Sequence, residues 1–215
     1  MKIAYINPNS TEAMTDGIAA AAQAAVPSAE IFGLTNSAGP AAIQGQDDGE
    51  AAIPGLLDLL PIARQRGAEA IVIACFDDTG LAQARAVVDC PVIGIGQASY
   101  VMAHLLGLRF SVITSMAISV PVIEENIRQS GFAPLCASVR ASALPVLVID
   151  EGGPAVIGRI SAEIERAIDE DGAGCAILGC AGMAHLRASL AARVAIPLID
   201  GVAASARLCM ALGAQ

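Results

Sequence analysis

Short apolar, β-branched runs alternate with longer Ala-rich runs of helical periodicity along the whole chain, a pattern that predicts βα units built around parallel sheets. Strands are expected at residues 2–6, 30–34, 70–74, 92–95, 110–113, 136–140, 175–178 and 197–199. Helices are expected at 11–25, with Ser10-Thr11-Glu12 as the cap, at 121–130 ahead of Gly131, and at 155–169 behind the turn Gly152-Gly153-Pro154. Two more, 79–88 and 183–194, follow cysteines, and a last helix spans 203–215.

The two halves of this pattern match each other. The run into Cys75 resembles the run into Cys180, 180 − 75 = 105 residues on; Pro91-Val92-Ile93 resembles Pro197-Leu198-Ile199, 197 − 91 = 106 on; and Asn7 aligns with Thr114, 114 − 7 = 107 on. Matches at nearly one offset indicate a structural duplication. The expected fold is therefore α/β, with two pseudo-symmetric Rossmann-like domains, each holding a mainly parallel four-stranded sheet. Residues 1–97 with the returning helix 203–215 form the first domain, and residues 98–202 form the second. Ligands of open α/β sheets sit beyond the carboxyl ends of the strands, which places the site in the cleft between the domains. Asn7, Cys75, Thr114 and Cys180 all stand at strand ends.

Composition narrows the class. Of 215 residues, 55% are hydrophobic, 15% are charged and 3% are aromatic, with 44 Ala and no Trp. The mean hydropathy of +0.62 thus comes from small aliphatic side chains, which suit close packing of helices on sheets and argue against disorder. A net charge of −9 argues against nucleic acid as a partner, since phosphate binding needs clustered Lys and Arg. The longest uncharged stretch, residues 90–108, is interrupted by Pro91, Gly94, Gly96, Gln97 and Gly107 and is not expected to span a membrane. With no leader-like segment ahead of residue 2, the expected location is the cytoplasm. There the six cysteines (75, 90, 136, 175, 180 and 209) should be reduced.

Three motifs carry a family resemblance: Ile6-Asn7-Pro8-Asn9-Ser10-Thr11 with Met14-Thr15, Ala74-Cys75-Phe76-Asp77-Asp78-Thr79-Gly80-Leu81, and Leu178-Gly179-Cys180-Ala181-Gly182-Met183. In this order the chain resembles the aspartate/glutamate racemase superfamily, in particular its hydantoin and allantoin racemase branch. The resemblance implies racemisation without a cofactor or metal, Cys75 and Cys180 acting as paired acid and base, and a small cyclic ureide as ligand. A homo-oligomer is also expected. Amino-acid racemases of the superfamily follow their cysteines with polar pairs, where this chain has Phe76-Asp77 and Ala181-Gly182. That difference favours a neutral hydantoin over free aspartate or glutamate.

Removing a hydantoin C5 proton leaves a carbanion that delocalises into the neighbouring carbonyl, so a thiolate can serve as base. The helices after Cys75 and Cys180 are expected to favour that thiolate through their N-terminal N–H groups, and Asp77 or Asp78 to cap the helix after Cys75. Phe76, Ala181 and Gly182 offer backbone N–H groups to a developing enolate. Asn7 and Thr114 are candidates for the ring amide groups, Gln44 for a loop contact, and Thr79 for a further substrate contact. Each has a plainer alternative: Asn7 as a turn residue before Pro8, Gln44 as a solvated amide, Phe76 as core, and the cysteines as small buried hydrophobes. Both thiols are expected to be free, because a substrate carbon held between them needs more room than a disulfide leaves. Cys90, Cys136, Cys175 and Cys209 are expected only to pack. The acidic runs at 46–50 and 169–171 are expected to be solvated loops, and Gly94-Ile95-Gly96 is too short to stand as a dinucleotide fingerprint.

Overall fold

The computed structural model describes residues 1–213. Residues 214–215, the tail of the expected C-terminal helix, lie outside the described residues. All eight expected strands are present: β1 (Lys2–Asn7), β2 (Glu30–Thr35), β3 (Ala70–Ile73), β4 (Val92–Gly94), β5 (Phe110–Thr114), β6 (Cys136–Ala141), β7 (Cys175–Gly179) and β8 (Leu198–Asp200). They form two four-stranded sheets of identical order, β2-β1-β3-β4 and β6-β5-β7-β8, with every pairing parallel. The duplication read from the sequence thus exists as a repeated topology.

Each sheet is covered on both faces, which is why its central strands read as unbroken apolar runs. Ile3 and Tyr5 belong to a core shared by both halves, whereas Ala4 and Ile6, one residue out of phase, face a core under the helices α2 (Gln46–Gln65) and α3 (Leu81–Val87). In the second half, Val112 joins the shared core, while Ile113 packs under α7 (Pro154–Asp171) and α8 (Arg187–Ala191). The shared core also takes in α1 (Glu12–Ala25), α4 (Ile95–Leu106) and α9 (Gly201–Gly213). Helices α4 and α9 approach so closely that a Cβ on Gly201 would stand 2.5 Å from the Ile95 carbonyl oxygen. Such contacts need glycine and alanine, which accounts for the composition. The Tyr5 hydroxyl ties β1 to α9 by donating to the Val202 carbonyl at 3.0 Å.

Several local expectations are corrected. Residues 46–50 open the long helix α2 instead of forming a loop; Asp47 and Asp48 lie in its first turn, where the helix dipole favours acids. Its buried face, Ala52, Leu56, Leu60 and Ala63, has helical spacing despite Pro54 and Pro61. Residues 169–171 end α7, and Asp171 and Glu170 pair with Arg140 of β6. Thr11 stands before α1 but makes no side-chain cap; its hydroxyl donates to the Ala41 carbonyl. After Cys75 the helix begins only at Leu81. After Cys180 comes a 3-10 helix, Ala181–Leu186, and then the short α8. Two further helices, α5 (Val120–Gln129) and α6 (Val146–Glu151), complete the second half.

Gly94 and Gly96 have a structural reason. The Asp78 carboxylate accepts hydrogen bonds from the N–H groups of Gly96 at 2.9 Å and Gln97 at 2.8 Å. It therefore caps α4 rather than the helix that follows it in sequence. A Cβ on Gly94 would stand 2.0 Å from Asp78 Oδ1, and one on Gly96 would stand 2.3 Å from the Phe76 carbonyl oxygen. Gly94→Ala should accordingly lower unfolding stability by about 1–3 kcal/mol, because the cap must shift. Gly158→Ala in α7, where an added Cβ meets nothing within 4 Å, should be neutral or stabilising by about 0.4–1 kcal/mol. Urea unfolding of the two variants checks this, and a Gly94→Ala midpoint at or above that of the unsubstituted protein would contradict it.

Candidate active site

Strands β3 and β7 are the repeat-related centres of the two sheets, and the chain leaves each of them into a tight turn. Asp78 N–H donates to the Cys75 carbonyl and Met183 N–H to the Cys180 carbonyl, both at 3.0 Å. These turns bring Cys75 and Cys180 to one cavity of about 30 Å³, space for roughly two water molecules. Phe76, Thr114 and Ala181 line it as expected, together with Asn9, Met14, Ile43, Ser115, Ser119 and Val146. Both cysteines are free and half-buried, and each thiol feels the charge state of Asp77.

Phe76 stands both at the cavity and in the shared core. It lines the cavity and meets the Tyr100 ring edge-on at a centroid distance of 5.9 Å, and Tyr100 in turn stacks on Phe110 of β5 at 5.7 Å. One wall of the site is thus anchored in an aromatic cluster joining the two halves. Thr114 donates to the Gly179 carbonyl at 3.2 Å, bracing β5 against β7 beside Cys180.

Other expected residues do not reach the cavity. The Asn7 amide is spent within its own loop, donating to Asn9 Oδ1 at 2.8 Å and to Thr15 Oγ1 at 3.0 Å. Asn9, two residues on, lines the cavity instead. Gln44 Oε1 accepts from Val146 N–H at 3.0 Å, clasping the loop after β2 to the start of α6; its neighbour Ile43 is the residue that touches the site. Thr79 borders a larger pocket next door, where its hydroxyl donates to Cys75 Sγ at 3.5 Å. Gly182 lies outside the small cavity, near Asp150. Asn9 stands inside the motif at residues 6–11, whereas Ser115 and Ser119 carry no sequence signal beyond following a strand end.

The electrostatics overturn one expectation. The two thiols are not poised as anions: burial pushes Cys180 up to about 12, with Asp77 and Asp150 adding to the rise and the N–H groups of Gly182 and Met183 offsetting part of it. Cys75 is pushed higher still by burial and by Asp77, against the Thr79 hydroxyl and the Asp77 N–H. The first helical N–H groups after Cys75 come too late in the chain to help it. Burial thus favours the neutral thiol at both positions. Among the described residues no group of three His, Cys, Asp or Glu side chains is placed to hold a metal ion, and no helix is long and apolar enough to cross a membrane.

Fold and site together define a class: a duplicated parallel α/β protein in which each half delivers one thiol, from the end of an equivalent strand, to a shared cavity. The Asp/Glu/Hydantoin racemase family model matches residues 3–209, and the chain belongs to that family. It is 40% identical over 213 residues to the hydantoin racemase of Rhizobium meliloti, covering 99% of this chain and 88% of that one. It is 38% identical over 208 residues to the hydantoin racemase of Pseudomonas sp. (strain NS671), covering 96% and 84%. The solved allantoin racemase from Klebsiella pneumoniae superposes with a TM-score of 0.94 at 36% identity, covering 100% of this chain and 88% of that one.

Raised thiol pKa values have a direct signature. Alkylation of Cys75 and Cys180 by iodoacetamide, followed residue by residue by mass spectrometry, should keep accelerating from pH 7 to pH 10. A plateau below pH 8 for either cysteine would show a stored thiolate and contradict the electrostatic account.

Proposed function

We propose that this protein is a hydantoin racemase, an isomerase that inverts C5 of 5-substituted hydantoins by two-base proton transfer between Cys75 and Cys180, with no cofactor in the reaction. The observation that carries this reading is the pair of free thiols at repeat-related strand ends on one cavity. Relatives named hydantoin racemase at 38% and 40% identity support the substrate class. In one direction the Cys180 thiolate takes the C5 proton, leaving a thiol and an enolate. The Cys75 thiol then protonates the opposite face, giving the mirror-image hydantoin and a Cys75 thiolate. The sulfurs end with exchanged roles, ready for the reverse direction.

Polar groups near the sulfurs suit a ring rich in amides. Ser115 and Ser119 line the cavity beside Thr114, and the Gly182 N–H lies beside Cys180. Free aspartate or glutamate fits less well, because its carboxylates would face Asp77. Allantoin, itself a hydantoin, belongs to the same reading, which the solved allantoin racemase supports. The division into 1–97 with 203–215 and 98–202, a cytoplasmic location and a homo-oligomeric state go with this proposal. The first is supported by the two separate sheets, and the last by exposed Val87, Leu105, Leu106 and Leu212.

The test is incubation of one enantiomer of 5-benzylhydantoin in D2O. Loss of optical rotation should keep pace with entry of one deuterium at C5, and Cys75→Ala and Cys180→Ala should each slow racemisation by roughly 10²–10⁴-fold or more. Racemisation at the uncatalysed rate by the unsubstituted protein, for this compound and for allantoin, would overturn the proposal.

A further inference from the structure

The duplication makes one asymmetry of the site conspicuous. In each half the N–H two residues beyond the cysteine faces the sulfur: Asp77 for Cys75 and Gly182 for Cys180. These are equivalent positions, 182 − 77 = 105 apart, yet one carries a carboxylate and the other no side chain. The Asp77 backbone is firmly held, its carbonyl accepting from Asn126 Nδ2 of α5, in the other half, at 2.7 Å. Its side chain is not: Asp77 Oδ2 is buried and has no hydrogen-bond partner among the described residues. A buried carboxylate oxygen left without a donor is costly, and the cap to α4 comes from Asp78 rather than Asp77.

Asp77 also occupies a junction. It lines both the small cavity holding the thiols and a pocket of about 440 Å³ beside it, which reaches Gly49, Glu50, Thr79, Asn126 and Gln129. If C5 of a hydantoin sits between the sulfurs, its substituent has this pocket as a place to lie. Asp77 and Glu50 make that wall acidic, and Arg85, the one cation lining the pocket among the described residues, is already engaged by Gln97 Oε1 and the Val92 carbonyl.

Resting on the racemase reading, we propose that Asp77 is a specificity-determining residue that selects hydantoins whose C5 substituent ends in a cationic nitrogen, an ammonium or a guanidinium. The cation supplies the donors and the opposite charge that the Asp77 carboxylate lacks. It also screens the one carboxylate that opposes ionisation of both cysteines, so a cationic substituent promotes thiolate formation as well as binding. Burial holds the empty Asp77 carboxyl at about 7, and a bound cation draws it to the ionised form.

The experiment compares kcat/KM for the aminopropyl, ureidopropyl and butyl hydantoins, substituted at C5, with the unsubstituted protein, Asp77→Asn and Asp77→Ser. The aminopropyl compound should exceed the butyl one by roughly 10- to 100-fold, the size of a charge-assisted hydrogen bond, and both variants should erase that preference while still racemising the butyl compound. A merely structural Asp77 would lower all three substrates together and leave their ratios unchanged, which would overturn the inference. So would equal rates for the ureidopropyl and aminopropyl compounds, because a neutral donor would then suffice, or a preference for butyl. Failure to racemise any of the three would instead count against the racemase reading itself.

Discussion

The cap that Asp78 places on α4 is the interaction on which the rest of the site depends. Helix α4 carries the chain from the first sheet to the second, and its first N–H groups are held by a carboxylate from the turn that also presents Cys75. That one contact fixes the turn after β3, sets the start of the crossing helix, and forbids a side chain at Gly94 and Gly96. The second half meets the same need from another position. Asp200, 200 − 94 = 106 residues after Gly94, caps its own helix through the N–H groups of Val202 at 3.0 Å and Ala203 at 3.2 Å. The acid stands on the strand in one half and reaches across from the cysteine turn in the other.

This arrangement explains how a nearly symmetric scaffold serves a reaction with two faces. Equivalent strands aim two thiols at one carbon, and a shared core welds the halves so that their relation is set by packing. The cost falls on the thiols. A cavity of about 30 Å³ leaves little room for the water that would stabilise a thiolate, so burial favours the neutral form at both positions. Beside the cavity, Gln44 and Val146 hold the loop after β2 against the start of α6.

The strands were legible because buried parallel strands leave continuous apolar runs, and the site's location was legible because strand ends in a duplicated α/β chain converge. Cys75, Cys180, Phe76, Thr114 and Ala181 fell where that logic put them. What stayed hidden depended on long-range pairing. The partner of Asp78 lies 18–19 residues away, so its role looked local. Helix α2 was masked by Pro54, Pro61 and its acidic opening. Near Asn7 and Gln44 the residues that line the cavity are the neighbours Asn9 and Ile43, while the Asn7 and Gln44 amides hold their loops. The sign of the thiol shifts could not be read from the chain at all, since it depends on how tightly the cavity closes.

The central claim is that the two thiols address opposite faces of one carbon, and stereospecific exchange tests it most directly. Each enantiomer of a 5-substituted hydantoin is incubated in D2O with Cys75→Ala and with Cys180→Ala, and deuterium at C5 is measured by NMR beside optical rotation. Each variant should exchange the proton of one enantiomer only, without inverting it, and the two variants should choose opposite enantiomers. Exchange of the same enantiomer by both variants, or inversion by either alone, would show that the cysteines do not share the reaction between two faces.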